Sequence, residues 1–163
     1  MKKICIISDS HNYIDNNIIN YIKKCDEVWH AGDIGDLNVC ENIKQYTFLR
    51  AVYGNIDNHI IRIEYPEFVF FQCEKLKILM THIGGSAGRY TKKTIELIKR
   101  YNPDIFICGH SHILKVSKDK KFNLIHINPG AIGKHGFHQV RTMIMLEIER
   151  KKILNMNVIE FKR

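Results

Sequence analysis

A chain of 163 residues that is 45% hydrophobic carries enough apolar material for one domain with a real core, while its longest apolar runs fall far short of the roughly 20 residues that cross a bilayer. Twenty-five Lys plus Arg against seventeen Asp plus Glu give a formal charge of +8, which favours anionic partners. The basic residues are scattered (Lys23 and Lys24, Lys92 and Lys93, Lys99 and Arg100, Lys120 and Lys121, Arg150 to Lys152), which reads as solvated faces and argues against a continuous nucleic-acid track, while charge alone does not separate nucleic acid from a small phosphate ester.

The predicted elements alternate in type along the chain. Residues 4–7 read as a strand that ends at Ser8, Asp9, Ser10 and His11; Ile14, Ile18, Ile19 and Ile22 then recur at a helical period. Residues 28–31 form a second strand ending at Gly32 and Asp33, and Leu37, Cys40 and Ile43 mark a second helix. Residues 48–53 lead to Gly54 and Asn55, residues 68–73 and 76–81 are strand-like, and the latter ends at His82. Ile95, Ile98 and Tyr101 mark a third main helix, after which residues 105–108 end at Gly109, His110, Ser111 and His112. Residues 124–127 and the two late apolar segments around Met143 to Ile148 and Leu154 to Val158, parted by a charged turn at 149–152, read as antiparallel hairpins that finish the sheet. This alternation predicts an α/β layer architecture. With no repeat or Pro/Gly/Ser-rich linker, residues 1–163 are expected to form a single domain.

The five cysteines, Cys5, Cys25, Cys40, Cys73 and Cys108, are widely spaced and include no Cys-x-x-Cys pair, as expected of small core residues in a reducing compartment. Residues 1–10 are too poor in apolar side chains for a secretory signal, so a cytoplasmic location is expected.

Five times an apolar run ends and a metal-ligand type follows at once, bringing Asp9, His11, Asp33, Asn55, His82, His110 and His112 to strand ends. Strands in open α/β sheets share a carboxyl edge where ligands gather, so residues spread over a hundred positions can converge. Glycine before the ligand at Gly32, Gly54 and Gly109 suits a sharp exit or a close backbone approach. An extended His110-x-His112 pair would direct both rings to one side, and Asp33, with two carboxylate oxygens, could bridge two ions. Carboxylate, imidazole and amide oxygen without thiolate suit Mn, Fe, Co, Ni or Zn.

Those residues in that order resemble the calcineurin-like metallophosphoesterase superfamily, whose pattern runs D-x-H, G-D, G-N-H-[DE], a histidine after a strand, and G-H-x-H. The resemblance covers Asp9 to His112, with Asn128 to Ala131 similar to a late family segment, and the small size is most similar to the compact microbial phosphodiesterase branch. It implies a four-layer α-β-β-α sandwich of two mixed sheets flanked by helices. It further implies that Asp9, His11 and His112 hold one divalent ion and Asn55, His82 and His110 a second, with Asp33 bridging; Mn2+ is the expected ion, with Ni2+, Co2+, Fe2+ and Zn2+ as alternatives. The implied activity is hydrolysis of small phosphodiesters by direct attack of a metal-bridging hydroxide, with Asp33, Asn55, His82 and His110 as catalytic residues. Phosphomonoester hydrolysis, or a non-catalytic metal-binding scaffold resembling the retromer subunit, are the alternatives, and a homo-oligomer stays open.

The sequence departs from the family pattern at Ile56, where the family often has a histidine that protonates the leaving oxygen; esters of acidic leaving groups are therefore expected to be favoured. Ile83 follows His82 where glycine is common. Gly84 and Arg89, in the segment 84–91, are candidate substrate-binding residues for a non-bridging oxygen, against the reading of a plain flexible connection. Asp57 either orients its loop or caps the segment 58–63, His30 reads as a buried hydrogen-bonded residue behind the ligands, His126 as structural, His59 as a surface or helix-start residue, and His135 and His138 as members of a loop able to approach the metals.

Overall fold

The computed structural model describes residues 1–163. In chain order its elements are β1 (Lys2–Ile7), α1 (Asn16–Ile22), β2 (Glu27–His30), α2 (Leu37–Lys44), β3 (Phe48–Ala51), α3 (His59–Glu64), β4 (Phe68–Cys73), β5 (Leu76–Thr81), β6 (Gly85–Ser86), β7 (Arg89–Tyr90), α4 (Lys92–Tyr101), β8 (Ile105–Ile107), β9 (Leu114–Asp119), β10 (Leu124–Pro129), β11 (Val140–Glu149) and β12 (Lys152–Lys162). Each helix starts on a side chain that accepts a backbone N–H: Asp15 for α1, Asp36 for α2, Asn58 for α3 and Thr91 for α4.

Two mixed five-stranded sheets result. The first has the order β12-β11-β1-β2-β3, with β1, β2 and β3 parallel and β11 and β12 antiparallel to their neighbours. The second has the order β4-β5-β8-β10-β9, with β5, β8 and β10 parallel and the outer strands antiparallel. The period-two alternation of strands divides the residues of β1: Ile4 and Ile6 face the second sheet and pack with Ile78, Met80, Ile105, Ile107 and Ile127. Cys5 and Ile7 face outward onto Ile18 and Ile22 of α1, in a cluster that also takes Val39 and Ile43 of α2 and Ile61 of α3. On the far side, Leu79, Phe106 and Leu124 pack against Leu97 and Ile98 of α4. The layers are therefore helices, sheet, sheet and helix, as the family resemblance implies. β1 and β8 are covered on both faces, which is why residues 4–7 and 105–108 read as unbroken apolar runs, whereas β2 carries the buried His30 within its run. No helix is long and apolar enough to cross a membrane.

Two expectations are corrected. The late strands do not complete one sheet: β11 and β12 extend the first, whereas β10 lies in the second between β8 and β9. And the connection after His82 is not plain loop, because β6 and β7 pair as a short antiparallel hairpin through Gly85 and Tyr90.

Candidate metal centre

The five ligand-bearing strand ends belong to both sheets: β1, β2 and β3 to the first, β5 and β8 to the second. The site therefore spans one end of the sandwich. What bends the chain there is backbone conformation. Asp9 (φ 54°), His11 (φ 43°), Asp33 (φ 53°), His110 (φ 70°) and His112 (φ 59°) all sit in the left-handed region, which costs about 1–2 kcal/mol for each residue carrying a side chain. Aspartate and histidine are among the types that tolerate it best, and strain of this kind persists only where the surroundings over-determine it. Asp9 N–H donates to Gly32 O at 2.9 Å and His11 N–H to Asp33 O at 3.1 Å, locking the ends of β1 and β2 together.

The left-handed turns overturn the extended His-x-His expectation. Instead of pointing one way, the two rings part: His110 joins Asp33 and His82 in one group of ligand atoms lying within 4.8 Å of one another, and His112 joins Asp9 and His11 in another. The glycines divide too. Gly32 has positive φ (95°), but at Gly54 and Gly109 the requirement is space: an added Cβ would overlap Asp33 Oδ1 at Gly54 and Ser8 Oγ at Gly109.

Hydrogen bonds fix which atoms face inward. His82 Nδ1 lies 2.8 Å from Ala31 O and donates to it, so its Nε2 faces Asp33 Oδ2 at 3.2 Å and Asn55 Oδ1 at 3.1 Å. In the neutral ring this aims three electron-pair donors at one another. Asp33 Oδ1 accepts from the Ile56 amide at 3.1 Å, leaving Oδ2, which also lies 3.6 Å from His11 Nε2. A single oxygen of Asp33 thus faces both groups. Asp9 is arranged similarly: Oδ2 accepts from the His110 amide at 3.1 Å, while Oδ1 lies 3.2 Å from His112 Nε2. Asp9 Oδ1 and His11 Nε2 are buried without a hydrogen-bond partner. Converging lone pairs and orphaned acceptors fit divalent cations, because such an arrangement is repulsive unless a cation or a proton lies inside it.

The titration of these side chains follows the same logic. Burial pushes the Asp33 carboxyl up, but the hydrogen bond and charge of His82, the Ile56 amide and His11 together hold it below its ordinary value. Burial disfavours the charged form of His82, yet Asp33 and Asp9 raise it overall, and the Asp9 carboxylate raises His112. Burial lowers His11 despite both carboxylates. The acidic pockets thus attract positive charge, and protons compete with metal there.

Behind the ligands, three buried polar residues hold the loops. Asp57 does not cap α3; its carboxylate accepts from the amides of Ile34 at 3.1 Å, Gly35 at 2.8 Å and Gly54 at 2.7 Å, joining the loops that carry Asp33 and Asn55. Asn128 donates to Gly109 O at 2.9 Å and Ser111 Oγ at 3.1 Å, steadying the segment that carries His110 and His112. The Ser10 hydroxyl donates to Ile34 O at 2.9 Å, so at 2.8 Å it accepts from His30 Nε2, whose Nδ1 accepts from the Gly32 amide at 3.2 Å. Sequence reasoning gave Ser10 no role; its only signal is a small polar residue at the end of an apolar run.

His30 is fully buried in that neutral tautomer, and burial lowers its pKa to about 4. The ordinary value near 6.5 applies to the unfolded chain, which therefore takes up a proton first as pH falls. Metal-free protein is accordingly expected to lose roughly 3 kcal/mol through this residue between about pH 6.5 and pH 4. Urea denaturation across that range should show the loss, and His30→Gln should flatten it.

Of the remaining histidines, His135 and His138 do approach: the His135 ring centroid lies 4.7 Å from that of His11, and His138 lies 5.3 Å from His112. With Phe137, which is fully exposed, they line a cavity of about 520 Å³ shared with Asp33, Asn55 and His110. His126 is buried with Nε2 3.4 Å from Cys108 Sγ, and His59 is exposed at the start of α3 and lines none of the cavities at the site. Ile56 contributes its amide to Asp33 and an exposed side chain. Gly84 and Arg89 line a separate cavity that shares His110.

Residues 1–151 match the family model described as the calcineurin-like phosphoesterase superfamily domain. The chain belongs to this superfamily. Probable metallophosphoesterases of Mycoplasma pneumoniae and Methanocaldococcus jannaschii are 28% and 25% identical to it, over 81% and 78% of this chain and 80% and 67% of theirs. Among solved structures, Vps29 complexed with Zn2+ from Entamoeba histolytica superposes with a TM-score of 0.75 at 15% identity, covering 98% of each chain. A conserved uncharacterized protein of Streptococcus pneumoniae, described as a predicted phosphoesterase, superposes at 0.66 with 22% identity, covering 99% of this chain and 98% of that one. These structural likenesses establish the fold, and the family model places the chain in the calcineurin-like phosphoesterase superfamily.

Proposed function

We propose that this protein is a dinuclear-metal-dependent phosphodiesterase acting on small phosphodiesters in the cytoplasm, its single domain being residues 1–163. Asp9, His11 and His112 would hold one ion, Asn55, His82 and His110 the other, and Asp33 would be shared. The observation that carries this reading is the position of Asp33 Oδ2, 3.2 Å from His82 Nε2 and 3.6 Å from His11 Nε2, between two groups of inward-facing donors. Two divalent ions bound there would supply a nucleophilic hydroxide near neutral pH and offset the charge of the phosphoryl oxygens. The chain's own contribution is to hold the ligands rigidly: one oxygen of each aspartate is tied to an amide, and His82 is oriented by Ala31 O. Two carboxylates against two dications leave the site positive, which suits an anionic substrate.

A diester is favoured over a monoester because the centre opens on more than one side. His110 lines both the cavity carrying His135 to His138 and the cavity carrying Gly84 and Arg89, so each arm of a diester has a place. With Ile56 where a proton donor would stand, acidic leaving groups should react fastest. The five free, buried cysteines suit a reducing compartment.

Chelator-stripped protein should be inactive and should hydrolyse bis(p-nitrophenyl) phosphate when Mn2+ is restored, with Ni2+, Co2+, Fe2+ and Zn2+ as comparisons and p-nitrophenyl phosphate turned over more slowly. Faster monoester hydrolysis would make it a phosphomonoesterase. Two bound ions per chain with no turnover of either ester would overturn the enzyme reading in favour of a metal-binding scaffold.

A further inference from the structure

We infer that the substrate is a phosphodiester one of whose arms ends in a second anionic group, received by Arg89 and Lys115; this rests on the phosphodiesterase reading above. A cavity of about 400 Å³ extends from His110 between the β6–β7 hairpin and the start of β9. Ile83 and Ile113, which directly follow the candidate ligands His82 and His112, line it and are 46% and 65% exposed. Arg89 comes to it from the hairpin and Lys115 from β9, and no Asp or Glu lines it. Neither cation forms an ion pair anywhere in the molecule.

The neighbouring cavity of about 350 Å³ beside Asn55 and His82 shows the contrast. There Lys93 Nζ lies 2.6 Å from Glu67 Oε1, and Arg62 donates from Nε to Asp57 O at 2.7 Å and from Nη2 to Asn55 O at 3.1 Å. Its cations are engaged within the protein, Lys93 by a carboxylate and Arg62 by two backbone carbonyls. Those of the Arg89 cavity are not, and two like charges facing one space without a counter-charge raise its potential until an anion enters. The anion they await is not the reacting phosphate. Arg89 and Lys115 line neither cavity that contains Asn55, and Asp33 lies in one of those. They stand further along one arm, beyond the apolar flank of Ile83 and Ile113. The arm that fits has an apolar or planar body and ends in a phosphate or carboxylate. Arg89 thus acts on the arm and not on a non-bridging oxygen of the reacting group.

The test compares p-nitrophenyl thymidine 5′-phosphate with the same ester phosphorylated at the 3′ oxygen, using full-length protein loaded with Mn2+. Wild type should favour the 3′-phosphorylated ester in kcat/KM by roughly five- to tenfold, the combined effect of two exposed ion pairs. R89Q/K115Q should bring that ratio to about one, and R89K/K115R should retain it. Calorimetry with thymidine 3′,5′-bisphosphate supplies a readout apart from turnover: the double glutamine variant should bind it several-fold more weakly at low salt, with the difference shrinking as salt rises. Equal use of the two esters by wild type, or a preference that survives R89Q/K115Q, would overturn the inference while hydrolysis of bis(p-nitrophenyl) phosphate upheld the enzyme reading. Absence of all turnover, with bisphosphate binding still lost in R89Q/K115Q, would overturn the enzyme reading and leave the anion subsite standing.

Discussion

Asp33→Asn should retain the fold, lose most of the bound metal, and lower turnover of aryl phosphodiesters by ~10³-fold or more, since metal stabilisation of the transition state is worth several kcal/mol and each 1.36 kcal/mol is a factor of ten. Asparagine is the informative replacement. It tolerates the left-handed φ of 53° as aspartate does, whereas alanine would add backbone strain to the loss of charge. Its carbonyl can still accept from the Ile56 amide at the position of Oδ1. What changes is the inward atom: an NH2 replaces Oδ2 and presents hydrogens where His82 Nε2 and His11 Nε2 present lone pairs. The ring of His82, now without the nearer of its two carboxylate neighbours, should titrate lower than in wild type, which NMR of metal-free protein can follow. Metal analysis, steady-state rates and thermal melts on one preparation decide the matter. A variant that still carries two ions and keeps its rate would remove Asp33 from the centre.

Much of this architecture is legible in the amino-acid sequence because its central strands are covered on both faces. Residues 4–7 and 105–108 show as uninterrupted apolar runs and 28–31 as one broken only by His30, and the chemistry shows as polar residues just past the end of each. β9 is different. Its sequence Leu-Lys-Val-Ser-Lys-Asp lies at a sheet edge with half of its residues exposed and polar residues at four of six positions, so it carries little apolar signal. Which strands share a sheet is equally hidden, since β1 pairs with β11 from the far end of the chain, and that pairing is decided by packing of the whole molecule. The turns at His110 and His112 are hidden for another reason: neither is glycine, and a left-handed histidine is held by its surroundings, here the Asp9 carboxylate on the His110 amide and Asn128 on Gly109 O and Ser111 Oγ. The second role considered for Asp57, capping α3, has an equally plain local logic, but Asn58 takes the cap because its side chain reaches the amides of Ile60 and Ile61. Asp57 is thereby free for partners 22 and 23 residues earlier, at a distance along the chain that local pattern does not report.

Asp57→Ala should destabilise the protein by about 3–5 kcal/mol, because three amides lose their acceptor together and each buried N–H left unsatisfied costs about 1–3 kcal/mol. The Asp57 carboxylate is 3% exposed, and its partners at Ile34 and Gly54 are buried as well, so water is poorly placed to replace it. Against a total stability of about 5–15 kcal/mol for a domain, the loss is a large share. Asp57→Asn, which keeps one acceptor oxygen, should fall between wild type and alanine in urea denaturation; a change below about 1 kcal/mol for alanine would mean that solvent satisfies the three amides. The effect should reach the metal centre, because the same carboxylate ties the loop after β2, which carries Asp33, to the loop after β3, which carries Asn55. The two substitutions are separable by metal. Asp57→Ala leaves all seven candidate ligands in place, so saturating Mn2+, which binds the folded chain, should recover part of its stability by mass action. Asp33→Asn removes a ligand and should gain much less from the same addition. A residue that positions the site and a residue that belongs to it are thus distinguished by how far metal restores each.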